Sequence, residues 1–209
     1  MEAISTEIYR GVTIEVIPDY DSESPRNWSN IGTVCNMHPS YSFGDFNLPN
    51  KPESFSEHCE NVGIDINDLI VLPIYAHIHS GIVLSTNKCE YPFTCPWDTC
   101  QIGLIYCAKS DYVETVKVKD SPGLSDQEII EMAKQALESE VETLSTWLSG
   151  GVVGYSCWGS IEGLEPFDDS CWGFYDEAYM LKEVKANIDS VYSEKVKPIL
   201  DNIKAITGG

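Results

Sequence analysis

Two histidines separated by one residue, His77 and His79, are the first pair in this chain whose spacing suits chemistry. On a strand that spacing turns both imidazoles to one face. Completed by Asp98, or by His38 with Cys35, they would suit a divalent metal. A trio of His77, His79 and Asp98 would serve a metal-dependent hydrolase acting on a nucleotide or phosphoester. The chain has no H-E-x-x-H, and two histidines at a strand end are more often hydrogen-bonded structure, so this reading assigns no metal and no cofactor. Asp19, Asp21 and Glu23 set oxygen donors at alternate positions, as a calcium loop does. Ser24 and Asn30 stand where that loop requires its glycine and its final glutamate, which excludes an EF-hand. Arg26, one of only two arginines, follows these acids and is expected to form an internal ion pair that fixes the loop. Asp168 and Asp169 with Glu165 have the chemistry for magnesium, but adjacent acids on a strand face opposite ways.

Nucleophilic catalysis finds no support. There is no G-x-S-x-G, no phosphate-binding P-loop and no G-x-G-x-x-G. Eight cysteines, at 35, 59, 89, 95, 100, 107, 157 and 171, contain no C-x-x-C pair of the kind structural zinc sites use. Most are expected to be buried, reduced thiols acting as small hydrophobes. Cys157 and Cys171 sit in the same tetrapeptide, Ser156-Cys-Trp-Gly159 and Ser170-Cys-Trp-Gly173, where burial would raise a thiol pKa.

The elements that must hold these residues are expected to form one α+β domain spanning 1–209. A mostly antiparallel sheet is packed by a long capped helix over about 125–149 and a C-terminal helix over about 178–206, kinked near Pro198. Apolar alternation predicts an opening hairpin about Arg10-Gly11, a short strand in 31–37, strands at 69–76, 81–86 and 101–108, and an edge strand at 112–119. The two Ser-Cys-Trp-Gly segments read as a second hairpin. Ser125-Asp-Gln-Glu128 is a capping box and Gly150 a stop signal. Between them Ile129, Ile130, Ala133, Leu137, Leu144, Trp147 and Leu148 share one helical face. Glu128, Glu131, Glu138 and Glu142 fall opposite; Glu140 is misplaced on the apolar side.

Charge narrows the function classes further. Thirteen Lys and Arg against 33 Asp and Glu give a net charge of −20. Direct binding to nucleic acid or to an anionic membrane needs a basic face and is excluded on that ground. Eleven of the net negative charges lie between 124 and 177, and 151–177 carries no basic residue. Like charges one helical turn apart, such as Glu138 and Glu142, destabilise the helix that bears them. A basic partner would relieve that repulsion. The expected partner-binding surface is therefore Glu128, Glu131, Glu138, Glu142, Glu162, Glu165, Asp168, Asp169, Asp176 and Glu177.

Several motifs resemble a family of small acidic proteins encoded by tailed phages and prophages. They are Asp19-Tyr-Asp-Ser-Glu-Ser-Pro-Arg-Asn-Trp-Ser-Asn-Ile-Gly-Thr33, His79-Ser-Gly81, Pro92-Phe-Thr-Cys-Pro-Trp-Asp98 leading into Gln101-Ile-Gly103, and Asp169-Ser-Cys-Trp-Gly-Phe-Tyr175. The chain departs from the family at Pro39-Ser40, where a basic pair often follows the histidine corresponding to His38, and in a longer tail beyond Tyr192. The resemblance implies a phage origin and transfers no catalytic residue. It implies an accessory role in the host cytosol, where such proteins inhibit defence enzymes. With no secretory leader and no apolar run long enough to span a bilayer, the chain reads as a cytoplasmic, non-enzymatic inhibitor of a basic, nucleic-acid-processing host protein of restriction or CRISPR type. It would act by imitating nucleic-acid charge. A homodimer remains compatible with the sequence.

Overall fold

Ser5–Tyr9 (β1) and Val12–Pro18 (β2) pair antiparallel around Arg10 and Gly11, whose φ angles of 50° and 83° match the right-handed twist of the flanking strands. The same device closes a second hairpin. Val153–Ile161 (β8) and Glu165–Phe174 (β9) meet through Glu162 and Gly163, at φ 51° and 72°, with Leu164 N–H donating to Ile161 C=O. The computed structural model describes residues 2–51, 53–116 and 124–207. In it the chain divides into two compact units, residues 1–22 together with 150–209, and residues 23–149. The second is an insertion between β2 and β8, which are neighbours in one sheet.

In the first unit the sheet order is β1-β2-β8-β9, antiparallel throughout. Its inner face presents Val12, Ile14, Val16, Tyr155 and Cys157 to Met180, Val184 and Ile188 of Glu177–Val191 (α4). The C-terminal helix is broken as expected near Pro198, by a π-turn over Tyr192–Val196 that leads into Lys197–Thr207 (α5). A proline ring crowds the carbonyl four residues before it and offers no N–H, and widening the preceding turn relieves both.

The second unit carries the sheet β4-β3-β7-β5-β6, formed by Thr33–Asn36 (β3), Phe46–Asn47 (β4), Leu69–Ile78 (β5), Ile82–Ser85 (β6) and Thr99–Ala108 (β7). All its pairings are antiparallel except β3 with β4. Asp126–Leu148 (α3) packs on it through Ala133, Leu137, Val141 and Leu144, against Ile74, Leu84 and Ile105. Burying each of the leucine, isoleucine and valine side chains among them contributes about 1.5–3 kcal/mol. A short helix, Ser54–Val62 (α1), buries Phe55 and Cys59 against Cys35 and Tyr106.

The α+β class, the capped helix and the C-terminal helix agree with the sequence reading; the strands are distributed over two sheets, each with its own helix. The edge strand expected from Tyr112 is a correction. Lys109–Thr115 is a helix (α2) that buries Tyr112 in the α3 core, while 117–119 lie outside the described residues. Over so few residues an alternation of apolar and polar side chains fits a helix as well as a strand.

Candidate partner-binding surface

The acids of α3 are placed by its start and by its inner face. Ser125 accepts from Glu128 N–H, and the Glu128 carboxylate accepts in return from the Ser125 N–H and hydroxyl, both at 2.7 Å. These bonds hold the Glu128 carboxyl below its ordinary pKa, the backbone bond most strongly. The inward stripe then turns Glu131, Glu138 and Glu142 outward, at about 10 and 6 Å intervals along the axis. Among the described residues none of these three carboxylates accepts a hydrogen bond or joins an ion pair, and Lys134, the one basic residue of α3, is also without an ion pair. A cleft of about 250 Å³ beside α3 adds Glu90 to Glu138 and Glu142, over a floor that includes Ser85 and Asn87. Glu90 escaped the sequence reading because it lies in a loop far from the helix in sequence, and only the fold brings it there.

Glu140 explains itself in the structure. Its carboxylate accepts from the Ile31 and Gly32 N–H groups at 2.7 and 3.0 Å and pairs with Arg26 at 3.0 Å. Arg26 also pairs with Asp45 at 2.6 Å and donates to the Gly32 carbonyl, and Asp45 in turn accepts from Val34 N–H. The Arg26 side chain is 8% exposed. Burial works against its charge, but the bonds and field of Asp45 and Glu140 outweigh that and raise its pKa. The expected internal ion pair of Arg26 is present. Its partners are Asp45 and Glu140 and not the Asp19–Glu23 acids that precede it in sequence.

The acids of 162–177 belong to the other unit, and most have internal partners. Glu162 pairs with Arg10 at 3.3 Å and Glu165 with Lys195 at 2.7 Å. Asp169 accepts from the Tyr155 hydroxyl at 2.8 Å and from Asn187 at 3.2 Å. Asp176 is the N-cap of α4, accepting from Tyr179 N–H at 3.0 Å. Only Asp168 and Glu177 point outward without a partner among the described residues.

The histidine pair is stacked, with ring centroids 6.4 Å apart, and lies near the end of β5. His77 Nδ1 is 3.4 Å from the Thr99 hydroxyl, and His79 Nδ1 is 3.8 Å from Asp98. Among the described residues no three His, Cys, Asp or Glu side chains are grouped to hold a metal ion. All eight cysteines are free thiols, but only Cys35, Cys59, Cys107 and Cys157 are buried, fewer than expected. Burial pushes Cys35, Cys107 and Cys157 up to about 11. Cys171, the counterpart of Cys157 in the repeated tetrapeptide, is exposed because β9 is the last strand of its sheet. Among the described residues no helix is long and apolar enough to cross a membrane. No family model matches the chain, and neither a curated protein nor a solved structure matches it.

Proposed function

We propose that this protein is a non-enzymatic, acidic binding protein that occupies the nucleic-acid groove of a basic partner, with the outer face of α3 as its contact. The observation that carries the reading is the set of outward carboxylates, Glu131, Glu138 and Glu142, left without hydrogen-bond or ion-pair partners among the described residues on a capped, well-packed helix. Repulsion between Glu138 and Glu142 costs the free protein a few tenths of a kcal/mol, and a basic groove would relieve it. Duplex DNA carries one charge per about 1.7 Å of axis. The α3 line is sparser than that, and Glu90 thickens it, whereas at the helix start Asp126 pairs with Lys109 at 2.8 Å and Glu128 is held by Ser125. The resemblance to phage accessory proteins favours a host defence enzyme of restriction or CRISPR type as the target, met in the bacterial cytosol.

The test is capture with competition. Immobilised protein is expected to retain a nucleic-acid-binding protein from bacterial lysate, and added duplex DNA or RNA is expected to release it. Retention that nucleic acid does not disturb would contradict occupation of the groove.

A further inference from the structure

The repeated Ser-Cys-Trp-Gly tetrapeptide has no part in the α3 reading, and strand register shows what it builds. Ser156 lies directly opposite Ser170, so the two copies run away from that pair in opposite directions along β8 and β9. Cys157 faces the buried core, and Trp158 and Trp172 therefore share the outer face of the sheet. Both tryptophan residues are 42% exposed.

The two tryptophans have different surroundings. Trp158 stands between Thr13 on β2 and Asp168 on β9, and Glu15 is two residues along β2 from Thr13 on the same face. Directly opposed side chains have Cβ atoms about 4.5–5.5 Å apart and diagonal ones about 7–8 Å. Asp168 and Glu15 thus flank the Trp158 ring. Neither carboxylate has a hydrogen bond or ion pair among the described residues, and 151–177 holds no lysine or arginine to fill the corner. Trp172 instead lies against Gly154, where any Cβ would collide with its ring, and Gly154 is paired with Ile17. That end of the face is apolar. Trp172 is four residues along β9 from Asp168, which sets the two ends about 14 Å apart.

An indole face flanked by two unpaired carboxylates is matched to a cation, and to arginine above lysine. A guanidinium is planar, stacks on the ring and bonds carboxylates through its fork of donors. A second copy of this chain would bring Asp168 and Glu15 against acids of its own. A neutral sugar would stack on the indoles and leave the carboxylates unmatched. The geometry points to a docking face for an extended segment of a partner protein that places an arginine in the Trp158–Asp168–Glu15 corner. An apolar side chain four residues away would meet Trp172, because alternate residues of an extended segment share a face and four residues span about 14 Å. This face belongs to the other unit and does not depend on α3 being an interface.

The probes are two blocked pentapeptides, Arg-Ser-Gly-Ser-Leu and its reverse, titrated into the full-length protein while the indole N–H signals are followed by NMR. Trp158→Phe and Trp172→Phe identify the two signals. One peptide order is expected to shift both. Replacing arginine by neutral citrulline is expected to weaken binding about tenfold, in keeping with a desolvated cation–π contact plus two charge contacts. Asp168→Asn and Glu15→Gln, both outward and unpaired, should each weaken it about threefold, and more at low salt than at high. Glu131→Gln, Glu138→Gln and Glu142→Gln together should change nothing here. No shift with either peptide order, or equal affinity for the citrulline peptides, would overturn the assignment. So would a neutral glucan hexaose that shifts both indoles independently of salt, since the face would then be a glycan platform.

Discussion

The outward acids of α3, Glu131, Glu138 and Glu142, and most acids of the β8–β9 hairpin unit are alike in sequence and opposite in use. Both segments are rich in Asp and Glu and nearly free of basic residues. In the hairpin unit Glu162, Glu165, Asp169 and Asp176 are bound by Arg10, Lys195, Tyr155 and the start of α4. On α3, Glu131, Glu138 and Glu142 have no such partners, and the helix stands on its capping box and its buried stripe. Net charge therefore locates acidity but not interfaces. What separates an acid that holds the fold from one available to a partner is whether the fold supplies its counter-charge.

Removing each carboxylate, or its partner, should rank accordingly in stability. The largest loss is expected at the Arg26 network. Arg26→Ala would leave Glu140 and Asp45 facing each other half-buried, and chemical denaturation should show about 3–5 kcal/mol lost. Next comes Asp176→Ala, which removes the α4 N-cap and should cost about 1 kcal/mol by the same measurement. Smallest is the triple change of Glu131, Glu138 and Glu142 to Gln. It should leave stability unchanged or raise it by a few tenths of a kcal/mol. A loss above about 1 kcal/mol there would mean that these side chains also hold the fold, and the contrast would collapse.

Acid titration sharpens the same contrast. Bonds from Ser125 lower the Glu128 pKa, and bonds from Arg10 and Tyr9 lower that of Asp189. A carboxyl with a depressed folded pKa contributes stability that is present above its unfolded pKa and lost as pH falls through the folded value. Melting temperature should therefore fall as pH drops below about 4, and Asp189→Asn should be less stable than the parent at neutral pH but converge with it in acid. A constant gap across the range would show that the Asp189 charge contributes nothing.

The local parts of this architecture were legible in the residues. Arg10-Gly11 between alternating strands, the Ser125–Glu128 box and the stripe through Leu137 and Leu144 are short-range signals, and each element formed where those signals placed it. The Glu140 anomaly was legible too, as a carboxylate on the wrong face of a helix. Its resolution was not, because Arg26 lies 114 residues away and the Ile31–Gly32 amides 108 or more. Pairing of strands into two sheets is likewise a long-range outcome, since β2 meets β8 across the whole inserted unit. For the α3 surface the residues were visible in advance and their lack of counter-charges was not.

The most direct test of the α3 interface is the salt dependence of binding, compared between the parent and the Glu131, Glu138, Glu142 to Gln variant, with the partner retained in the nucleic-acid competition assay. Exposed charge pairs are screened over about 8–10 Å at physiological ionic strength, and loss of rim charges mainly slows association. The variant should bind more weakly at low salt, chiefly through a slower on-rate, and the two affinities should converge as salt rises. Equal affinities and equal salt slopes at every ionic strength would show that the outer face of α3 is solvated surface and not the contact.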